Sequence, residues 1–469
     1  MNLFRTKPID SIAEENSSLK RCLGAADVTF MGIGAIIGAG IFVLTGVVAA
    51  THAGPAVVLS YVVSGLACVF VALSYAELAA SVGGCGSAYG YAYAGLGEII
   101  AWAIGWDLLL EYGLGISTVA IGWSGYVNNA LSAIGIPLPE MLTKSPFEGG
   151  YINLPATLII LLLTGLLCIG VRESARFNVA IVFVKLLAIG LFISVAAFHT
   201  NLDNWKVFMP FGWNGVMHGA ALVFFAYIGF DAVSTAAEET IKPQRDLPIG
   251  IILSLAICTV IYIIVSALLT LVVPYTSLNV SSPVANVLLQ LGKPTAAAFI
   301  AAGAIAGLTT VMLVLYYGFS RIFLAIARDG LLPARFARVH PKAKTPVTVL
   351  VMSGFFLATV AGFTPIGQLA ELVNIGTLAA FTVVCGGVIV LRRKQPNLNR
   401  PFKLALHPVF PILGILFCGY LMLSLPAITW LRFVGWMAIG FLIYFGYGKK
   451  HSKLAGDDNY AVRMREAVE

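Results

Sequence analysis

Long apolar runs alternate with short charged or turn-rich stretches along almost the whole chain. Most of the runs are close to the roughly 20 apolar residues that a helix needs to cross the hydrocarbon core of a bilayer. The third and the eighth run are longer, so we expect these two helices to tilt, bend or extend beyond the membrane. The pattern therefore predicts an all-α polytopic membrane protein with twelve transmembrane helices, which we call spans 1 to 12. Their approximate bounds are 28–50, 54–82, 98–133, 152–171, 175–198, 213–237, 247–273, 294–327, 345–364, 366–391, 408–427 and 429–448.

The composition also indicates a membrane protein. Of the 469 residues, 59% are hydrophobic and 11% are charged, whereas a soluble domain usually has about 25% charged residues. Residues 1–26 are polar and lack the pattern of a secretory signal, so we expect span 1 to drive insertion. The seven cysteines are scattered and form no CxxC pair, which argues against a disulfide framework or a metal site.

The distribution of basic residues predicts the orientation in the membrane. If the N-terminus is inside, 24 of the 29 Lys and Arg residues fall in inside segments and 4 fall in outside segments, while Lys185 lies within span 5. Since Lys and Arg concentrate in cytoplasmic loops, we predict a multi-pass protein of the cell (plasma) membrane with both termini cytoplasmic. The same distribution accounts for the net charge of +7 without a nucleic-acid partner.

Span 1 contains a glycine cluster in the sequence GIGAIIGAGIF, residues 32–42. Four glycines within nine residues weaken a continuous helix, because each costs about 1 kcal/mol relative to Ala in a helix interior. Irregular backbone at membrane depth must be buried in protein or line a cavity. We therefore interpret residues 38–40 as one half of a site that presents bare backbone groups to a polar ligand.

Span 6 has a comparable feature. Its sequence VFFAYIGFDAVS, residues 223–234, places a glycine and an acid among aromatic residues, although a simple packing helix would show the same pattern. Transporters built from inverted repeats have broken helices at matching positions of their two halves. A repeat of five spans pairs span 6 with span 1, which favours a second broken helix. The predicted organisation is an N-terminal cytoplasmic segment (1–27), a first repeat (28–200), a second repeat (201–391), spans 11 and 12 (392–448) and a cytoplasmic tail (449–469).

Lys185 lies about ten residues from either end of span 5, or roughly 15 Å at the helical rise. An ammonium group at that depth is costly without partners, so we expect it to face the interior and meet an acid or backbone carbonyls, or to lose its proton. We interpret it as a proton carrier or as a fixed cation in place of sodium, with a static structural ion pair as the alternative. The acids considered as partners are Glu77, Asp107, Glu111, Asp231 and Glu371, of which Glu111 and Asp231 are favoured for coupling.

Several stretches together resemble the amino acid–polyamine–organocation (APC) transporter superfamily, and within it the bacterial members of the cationic amino acid transporter branch. They are GIGAIIGAGIF in span 1, FFAYIGFDAVSTAAEE in span 6, KPQRDLP at 242–248 and RDGLLP at 328–333. The resemblance extends over all twelve spans. It implies a LeuT-type fold of five-plus-five inverted repeats with two extra helices, and amino acid transport by alternating access.

The resemblance also implies which residues bind the substrate. In the family, backbone N–H groups at the break in span 1 receive the substrate carboxylate, as expected for helix N-termini. Carbonyls at the break in span 6 receive its ammonium group, and Phe225 resembles an aromatic lid over the substrate. The matching substrate positions are Ile36, Gly38, Ala39, Gly40, Phe225, Ala226 and Ile228.

Coupling to protons is implied in the same way. Lys185 matches a span 5 lysine that proton-coupled relatives have where sodium-coupled relatives hold a cation. Glu111 and Asp231 resemble acids that take part in this coupling. Protons are therefore the expected coupling ion, with no sodium and no cofactor.

Two departures from the family pattern bear on the substrate. Ala39 stands where relatives often have a hydroxyl residue, so backbone groups alone would hold the carboxylate. Leu315 in span 8 stands where relatives with cationic substrates tend to have a small residue, and a leucine would shorten the pocket and make it apolar. We therefore predict import of small or medium neutral L-amino acids, despite the resemblance to the cationic branch.

Other functions fit parts of the same pattern. An amino acid exchanger (antiporter) and a cationic amino acid transporter are the nearest alternatives. A sensor that binds amino acids without transporting them would more often carry an added signalling domain. A channel would show a ring of acids or a TVGYG-like run, and an enzyme a motif such as GxSxG, HExxH or Walker A, none of which occurs. The expected partners are an L-amino acid and the lipid bilayer, with the protein a monomer or a weak oligomer.

Overall fold

The computed structural model describes residues 3–7, 23–82, 87–133, 135–169, 175–237, 240–340 and 345–454. In these ranges the regular structure is helical, apart from one isolated bridge between Leu23 and Thr240. The prediction of an all-α polytopic fold is confirmed. Most of the predicted N-terminal segment and the end of the predicted tail lie outside the described residues.

Eight helical stretches of the described chain are long and apolar enough to cross a membrane, and three shorter apolar helices accompany them. The first stretch, Ala25–Ser81, has 57 residues. At about 1.5 Å per residue it would be far longer than a bilayer core of about 30 Å, so it contains both span 1 and span 2. The chain turns between them at Gly54, whose φ of +61° suits glycine. The described ranges therefore contain the twelve predicted spans.

The helices agree with the predicted spans to within a few residues. Span 1 comprises Ala25–Ile36 and, after a break, Gly40–Leu44, Thr45–Val48 and Ala49–Ala53, while span 6 comprises Gly212–Val223, Phe224–Tyr227 and, after a break, Asp231–Ala236. The other spans, in order, are Val57–Ser81, Glu98–Ala133, Leu154–Ile169, Ala175–Ala196, Pro243–Val272, Pro294–Arg328, Val347–Phe363, Ile366–Lys394, Val409–Leu423 and Ala427–Ile443. Short helices at Ser87–Gly95 and Pro283–Gln290 precede spans 3 and 8.

Both predicted interruptions are present, and they contact each other. Ile37 ends the first half of span 1 in an extended conformation. In span 6, Ile228 is extended and Gly229 has a φ of +124°. A Cβ at Gly229 would lie 2.8 Å from the carbonyl carbon of Ala35, so glycine is needed both for the backbone conformation and for the close approach of the two spans. The division of the chain into inverted repeats stays a prediction.

Span 3 lies at the centre of the helical packing. It packs most extensively against span 8, and also against spans 4, 9, 10 and 12. Spans 2 and 7 pack against each other beside span 1. The two broken spans are therefore supported by continuous helices on either side, which keeps their irregular backbone away from lipid.

The two ends of the described chain meet at one end of the helical bundle, which we call the terminal face. Arg5 lies 3.5 Å from Glu98 at the start of span 3, and Ser452, beyond span 12, donates a hydrogen bond to the same carboxylate. Lys7 forms a second ion pair, of 3.2 Å, with Asp329 at the end of span 8. Both ends of the described chain thus lie on one side, as twelve crossings require. The cytoplasmic orientation of that side stays a prediction.

Candidate functional site

A cavity with an empty volume of about 390 Å³ lies where the breaks in spans 1 and 6 meet spans 3, 8 and 10. Among the described residues, Glu111 is the only ionisable side chain on the wall, and the other wall residues are apolar or glycine. Seven predicted substrate positions line the cavity: Ile36, Gly38, Ala39, Gly40, Phe225, Ile228 and Leu315.

The break in span 1 brings a helix N-terminus to the cavity. The second half of the span begins at Gly40, and the first N–H groups of a helix have no acceptor within that helix. These groups and the helix dipole together favour an anion. A Cβ at Gly40 would overlap Ala226 in span 6, so glycine also permits the close packing of the two spans. This geometry suits a carboxylate held by backbone N–H groups.

Ala226 lies beside the cavity rather than on its wall. Its carbonyl oxygen accepts a hydrogen bond of 2.9 Å from the Tyr262 hydroxyl, which also lies 2.8 Å from the carbonyl oxygen of Ile36. Tyr262, in span 7, therefore links the two broken spans. A substrate ammonium would share the Ala226 carbonyl with this hydroxyl, since a carbonyl oxygen has two lone pairs. Sequence reasoning missed Tyr262, which no motif or spacing singles out.

Lys185 is fully buried and contacts span 1 next to its break. Its Nζ donates hydrogen bonds to the carbonyls of Gly34, at 2.9 Å, and Ile37, at 3.1 Å. Carbonyls at the end of a helix carry partial negative charge, so an ammonium group is stabilised there. The stem of Lys185 packs on Gly307 in span 8, where a Cβ would lie 2.5 Å from Cε. These hydrogen bonds are to backbone carbonyls, one of the two kinds of partner expected from the sequence.

Asp231 is buried, and its carboxyl group accepts two hydrogen bonds. Its Oδ1 accepts a hydrogen bond of 3.1 Å from the backbone N–H of Gly229, and its Oδ2 accepts one of 3.2 Å from the Tyr112 hydroxyl. It starts the second half of span 6. The Asp231 carboxylate therefore stabilises the break in span 6.

Glu111 has a different environment. Its side chain lies on the cavity wall and is 2% exposed. Neither carboxyl oxygen accepts a hydrogen bond from a described residue within ordinary bonding distance. A buried carboxylate without donors is unfavourable, so Glu111 is suited to take up a proton or a cationic group.

Two of the other three acids considered from the sequence, Glu77 and Glu371, have partners away from the cavity, while Asp107 lies one turn before Glu111 in span 3. Glu77 accepts hydrogen bonds of 2.8 Å from Arg392 Nε and from the backbone N–H of Leu404, near the terminal face. Glu371 accepts a hydrogen bond of 2.6 Å from the Thr429 hydroxyl in span 12. Neither lines the cavity, and their bonds tie span 10 to its neighbours.

Sequence reasoning missed part of the cavity wall. Gly115 and Val119 follow Glu111 in span 3 at intervals of four residues, and Val311 precedes Leu315 in span 8 by four. Residues four apart share one helix face, so extending each predicted position by one turn would have found them. Val373 in span 10 also lines the cavity, and no such spacing points to it.

Known proteins similar to this chain are membrane transporters. Residues 23–446 match the family model described as amino acid permease. Over 97% of its length the chain is 51% identical to the branched-chain amino acid permease BcaP and 50% identical to the methylthioribose transporter, both of Bacillus subtilis (strain 168), and it covers 99% of each. Over 84% of its length it is 38% identical to the vacuolar cationic amino acid transporter 4 of Arabidopsis thaliana, of which it covers 68%.

These matches confirm the resemblance to the APC superfamily and to its cationic amino acid transporter branch. The relatives are named as permeases and transporters, so the chain is a transporter and not an enzyme. With helices long enough to cross a membrane, a cavity between two broken spans and a match over nearly its whole length, the chain belongs to the amino acid permease family.

Proposed function

We propose that the protein imports small or medium neutral L-amino acids together with protons, by alternating access in a LeuT-type arrangement of two inverted repeats and two extra helices. The observation that carries this proposal is the cavity between spans 1 and 6. One side of it is a helix N-terminus suited to a carboxylate. The rest of the wall is apolar or glycine, apart from Glu111.

The part of the wall formed by spans 3, 8 and 10 favours an apolar substrate side chain. Gly115, Val311, Leu315 and Val373 supply no donor, acceptor or charge from their side chains. The Leu315 side chain reaches across to span 3, since a Cβ at Gly115 would lie 3.5 Å from its Cδ1. A long cationic side chain would have to displace this leucine and would lose its hydration in an apolar site.

A cationic amino acid transporter is the second candidate, and Glu111 is the observation that favours it. An ionised Glu111 would give the wall one negative charge facing the cavity. The name of the Arabidopsis thaliana relative points the same way, whereas the name of the branched-chain amino acid permease supports a neutral substrate. We favour the neutral substrate because an isolated acid without donors is more stable when protonated.

The substrate experiment is a thermal-shift screen of purified protein followed by uptake into liposomes. The ligands are the twenty amino acids and methylthioribose. Methylthioribose is included because one relative is named as a methylthioribose transporter. We expect stabilisation and uptake with alanine, valine, leucine and isoleucine. Uptake of arginine as fast as alanine would contradict the neutral pocket, and uptake of methylthioribose alone would contradict an amino acid substrate.

Coupling is tested with Lys185→Ala. The ammonium of Lys185 holds the carbonyls of Gly34 and Ile37 beside the break in span 1, so a change in its protonation would alter the support of the carboxylate site. An imposed pH gradient with no internal substrate should drive accumulation by the wild type but not by the variant. Exchange of labelled for unlabelled substrate should persist in part.

The matched control is Lys206→Ala. Lys206 forms an exposed ion pair of 3.0 Å with Asp203 in a loop, and its removal should leave accumulation unchanged. Full accumulation by Lys185→Ala would show that this lysine is structural. If the wild type exchanges substrate but never accumulates it under a pH gradient, the protein is an exchanger. A sodium gradient should add nothing to the uptake.

The same proposal includes the location, the orientation and the oligomeric state of the protein. It lies in the cell membrane with both termini cytoplasmic, as a monomer or a weak oligomer whose remaining partner is the lipid bilayer. No nucleic acid is involved. Labelling of single cysteines introduced at the terminal face, from inside or outside intact cells, would test this orientation.

A further inference from the structure

Asp107 is a buried acid that the proposed transport cycle does not use. It precedes Glu111 by one helical turn in span 3, so both carboxyls share one face of the helix. Asp107 and Glu111 are each 2% exposed, and none of their four oxygens accepts a hydrogen bond from a described residue within ordinary bonding distance. Burial of an ionised carboxylate without donors is very unfavourable. In this conformation both carboxyls are expected to hold a proton.

Span 10 supplies the surface on which this pair of acids rests. A Cβ at Gly376 would lie 2.5 Å from Asp107 Oδ1, so this carboxyl packs directly on the backbone of span 10. The next residue, Thr377, lies beside Glu111 and donates its hydroxyl hydrogen to the Val373 carbonyl at 2.9 Å. The Thr377 oxygen can therefore accept a hydrogen bond from protonated Glu111, whereas donating to the Glu111 carboxylate would break its bond to Val373. The contacts from span 10 thus suit the neutral acids.

The titratable groups near Glu111, apart from Asp107, come from spans 2, 3 and 6. They are Tyr75, Tyr112 and Asp231. Asp231 already accepts two hydrogen bonds. Its negative charge disfavours a second negative charge on Glu111. The Tyr75 hydroxyl is buried and has no partner among the described residues. Loss of a proton from the pair would therefore place a negative charge in a site where no cationic side chain among the described residues acts on Glu111.

A second, smaller cavity lies among spans 2 and 10 and the short helix that precedes span 3. This cavity, with an empty volume of about 190 Å³, is lined by Tyr91 and by residues of span 10 that include Val384 and Gly387. These span 10 residues lie between Gly376 and the end of the span at the terminal face. The ring of Tyr75 contacts that of Tyr91, with centroids 6.2 Å apart. Tyr75 thus contacts Tyr91, which lines a cavity on the side of the terminal face.

We propose that Asp107 is the residue from which the coupling proton leaves toward the terminal face, an inference that rests on the proton coupling proposed above. Asp107 lies four residues, about 6 Å at the helical rise, nearer that face than Glu111. When the face opens to water, the O–H bond of Asp107 breaks and its proton passes to water. Glu111 then gives its own proton to the Asp107 carboxylate, so one O–H bond breaks as another forms. One proton thus moves from Glu111 to water at the terminal face, and Glu111 regains a proton from water when the cavity next opens to the opposite side.

Asp107→Asn tests this inference because it removes the acid while preserving shape and polarity. In liposomes with a pH gradient, accumulation should fall about tenfold or more, whereas exchange without a gradient should stay close to the wild-type rate. A pH-sensitive dye should also record fewer protons moved per substrate. Glu371→Gln is the matched control, since it removes a membrane acid whose partner is Thr429, and it should change none of these quantities.

Gly376→Ala is the second variant, because its methyl group displaces the Asp107 carboxyl without removing it. Accumulation should fall in the same direction but by less. The inference is overturned if Asp107→Asn accumulates substrate like the wild type, or if accumulation and exchange fall equally, which would show a structural role. The wild type separately tests the proposed function: exchange without any proton-driven accumulation would mean that proton coupling itself is wrong.

Discussion

Buried acids at the terminal face and beside the cavity have opposite surroundings. Glu98 at the terminal face accepts hydrogen bonds from the hydroxyls of Tyr93, at 3.1 Å, Tyr444, at 2.8 Å, and Ser452, in addition to its ion pair with Arg5. Its carboxylate is fully buried. Donors therefore replace the water that an exposed carboxylate would bind.

Asp107 and Glu111 beside the cavity are buried to nearly the same extent, yet they receive no hydrogen bond from the described residues. Burial alone therefore does not distinguish a structural acid from one that changes its charge. The number of donors does, because a carboxylate with several donors is held ionised, whereas one without donors is more stable with a proton. This difference separates the acids that join helices from those suited to carry protons.

Glu77→Ala should give the largest loss of stability. It leaves Arg392, Arg400 and the backbone N–H of Leu404 without their shared carboxylate, and breaking a buried ion pair costs about 3–5 kcal/mol. Denaturant unfolding in detergent would measure this loss. Glu77→Gln is the control, which should lose less because its amide oxygen still accepts hydrogen bonds. An unchanged free energy of unfolding for Glu77→Ala would show that acids with several donors do not stabilise the fold, contrary to this comparison.

Asp231→Asn should have an intermediate effect on stability. The amide oxygen can still accept the hydrogen bond from Gly229, but the charge that strengthens both bonds is lost, so we expect a cost of about 1–2 kcal/mol. The same unfolding measurement applies. If Asp231→Asn lost as much free energy of unfolding as Glu77→Ala, the charge of Asp231 would stabilise the break in span 6 far more than two ordinary hydrogen bonds.

Glu111→Gln should hardly change stability, since no described residue donates to its carboxyl within ordinary bonding distance. We expect a change within about 0.5 kcal/mol, together with loss of proton-driven accumulation in liposomes. Glu77→Ala, by contrast, should lose much of its stability. A large loss of stability with intact accumulation would assign Glu111 to the structural group.

Glu140→Gln should have the smallest effect. Glu140 lies in an exposed loop, and the ammonium of Lys144 at 2.9 Å lowers its pKa by hydrogen bonding and charge. A carboxyl group whose pKa is lower in the folded state stabilises the protein at pH values above its ordinary pKa. This stabilisation is lost as the pH falls through the folded-state pKa. Because this exposed pair is screened by water, unfolding at neutral pH should show no measurable difference.

The local features of the site were predictable, whereas its assembly was not. The glycines of span 1 and the glycine of span 6 predicted two broken helices, because their effect on a helix is a local property of the chain. The wall residues Gly115 and Val119 follow from the helical spacing of Glu111. Tyr262, which bonds to both broken spans, could not be predicted, since its role depends on a contact between distant segments.

By itself, the sequence determined the twelve spans and the positions of the two breaks, because apolar length and glycine content act within a few residues. Only the tertiary structure decided which buried charges have partners. Lys185 bonds to the carbonyl of Gly34, 151 residues away, and Arg392 bonds to Glu77, 315 residues away. No local pattern encodes such pairs, because they form only when the spans pack together. The same packing leaves Asp107 and Glu111 without donors, and so separates them from acids that look alike in the sequence.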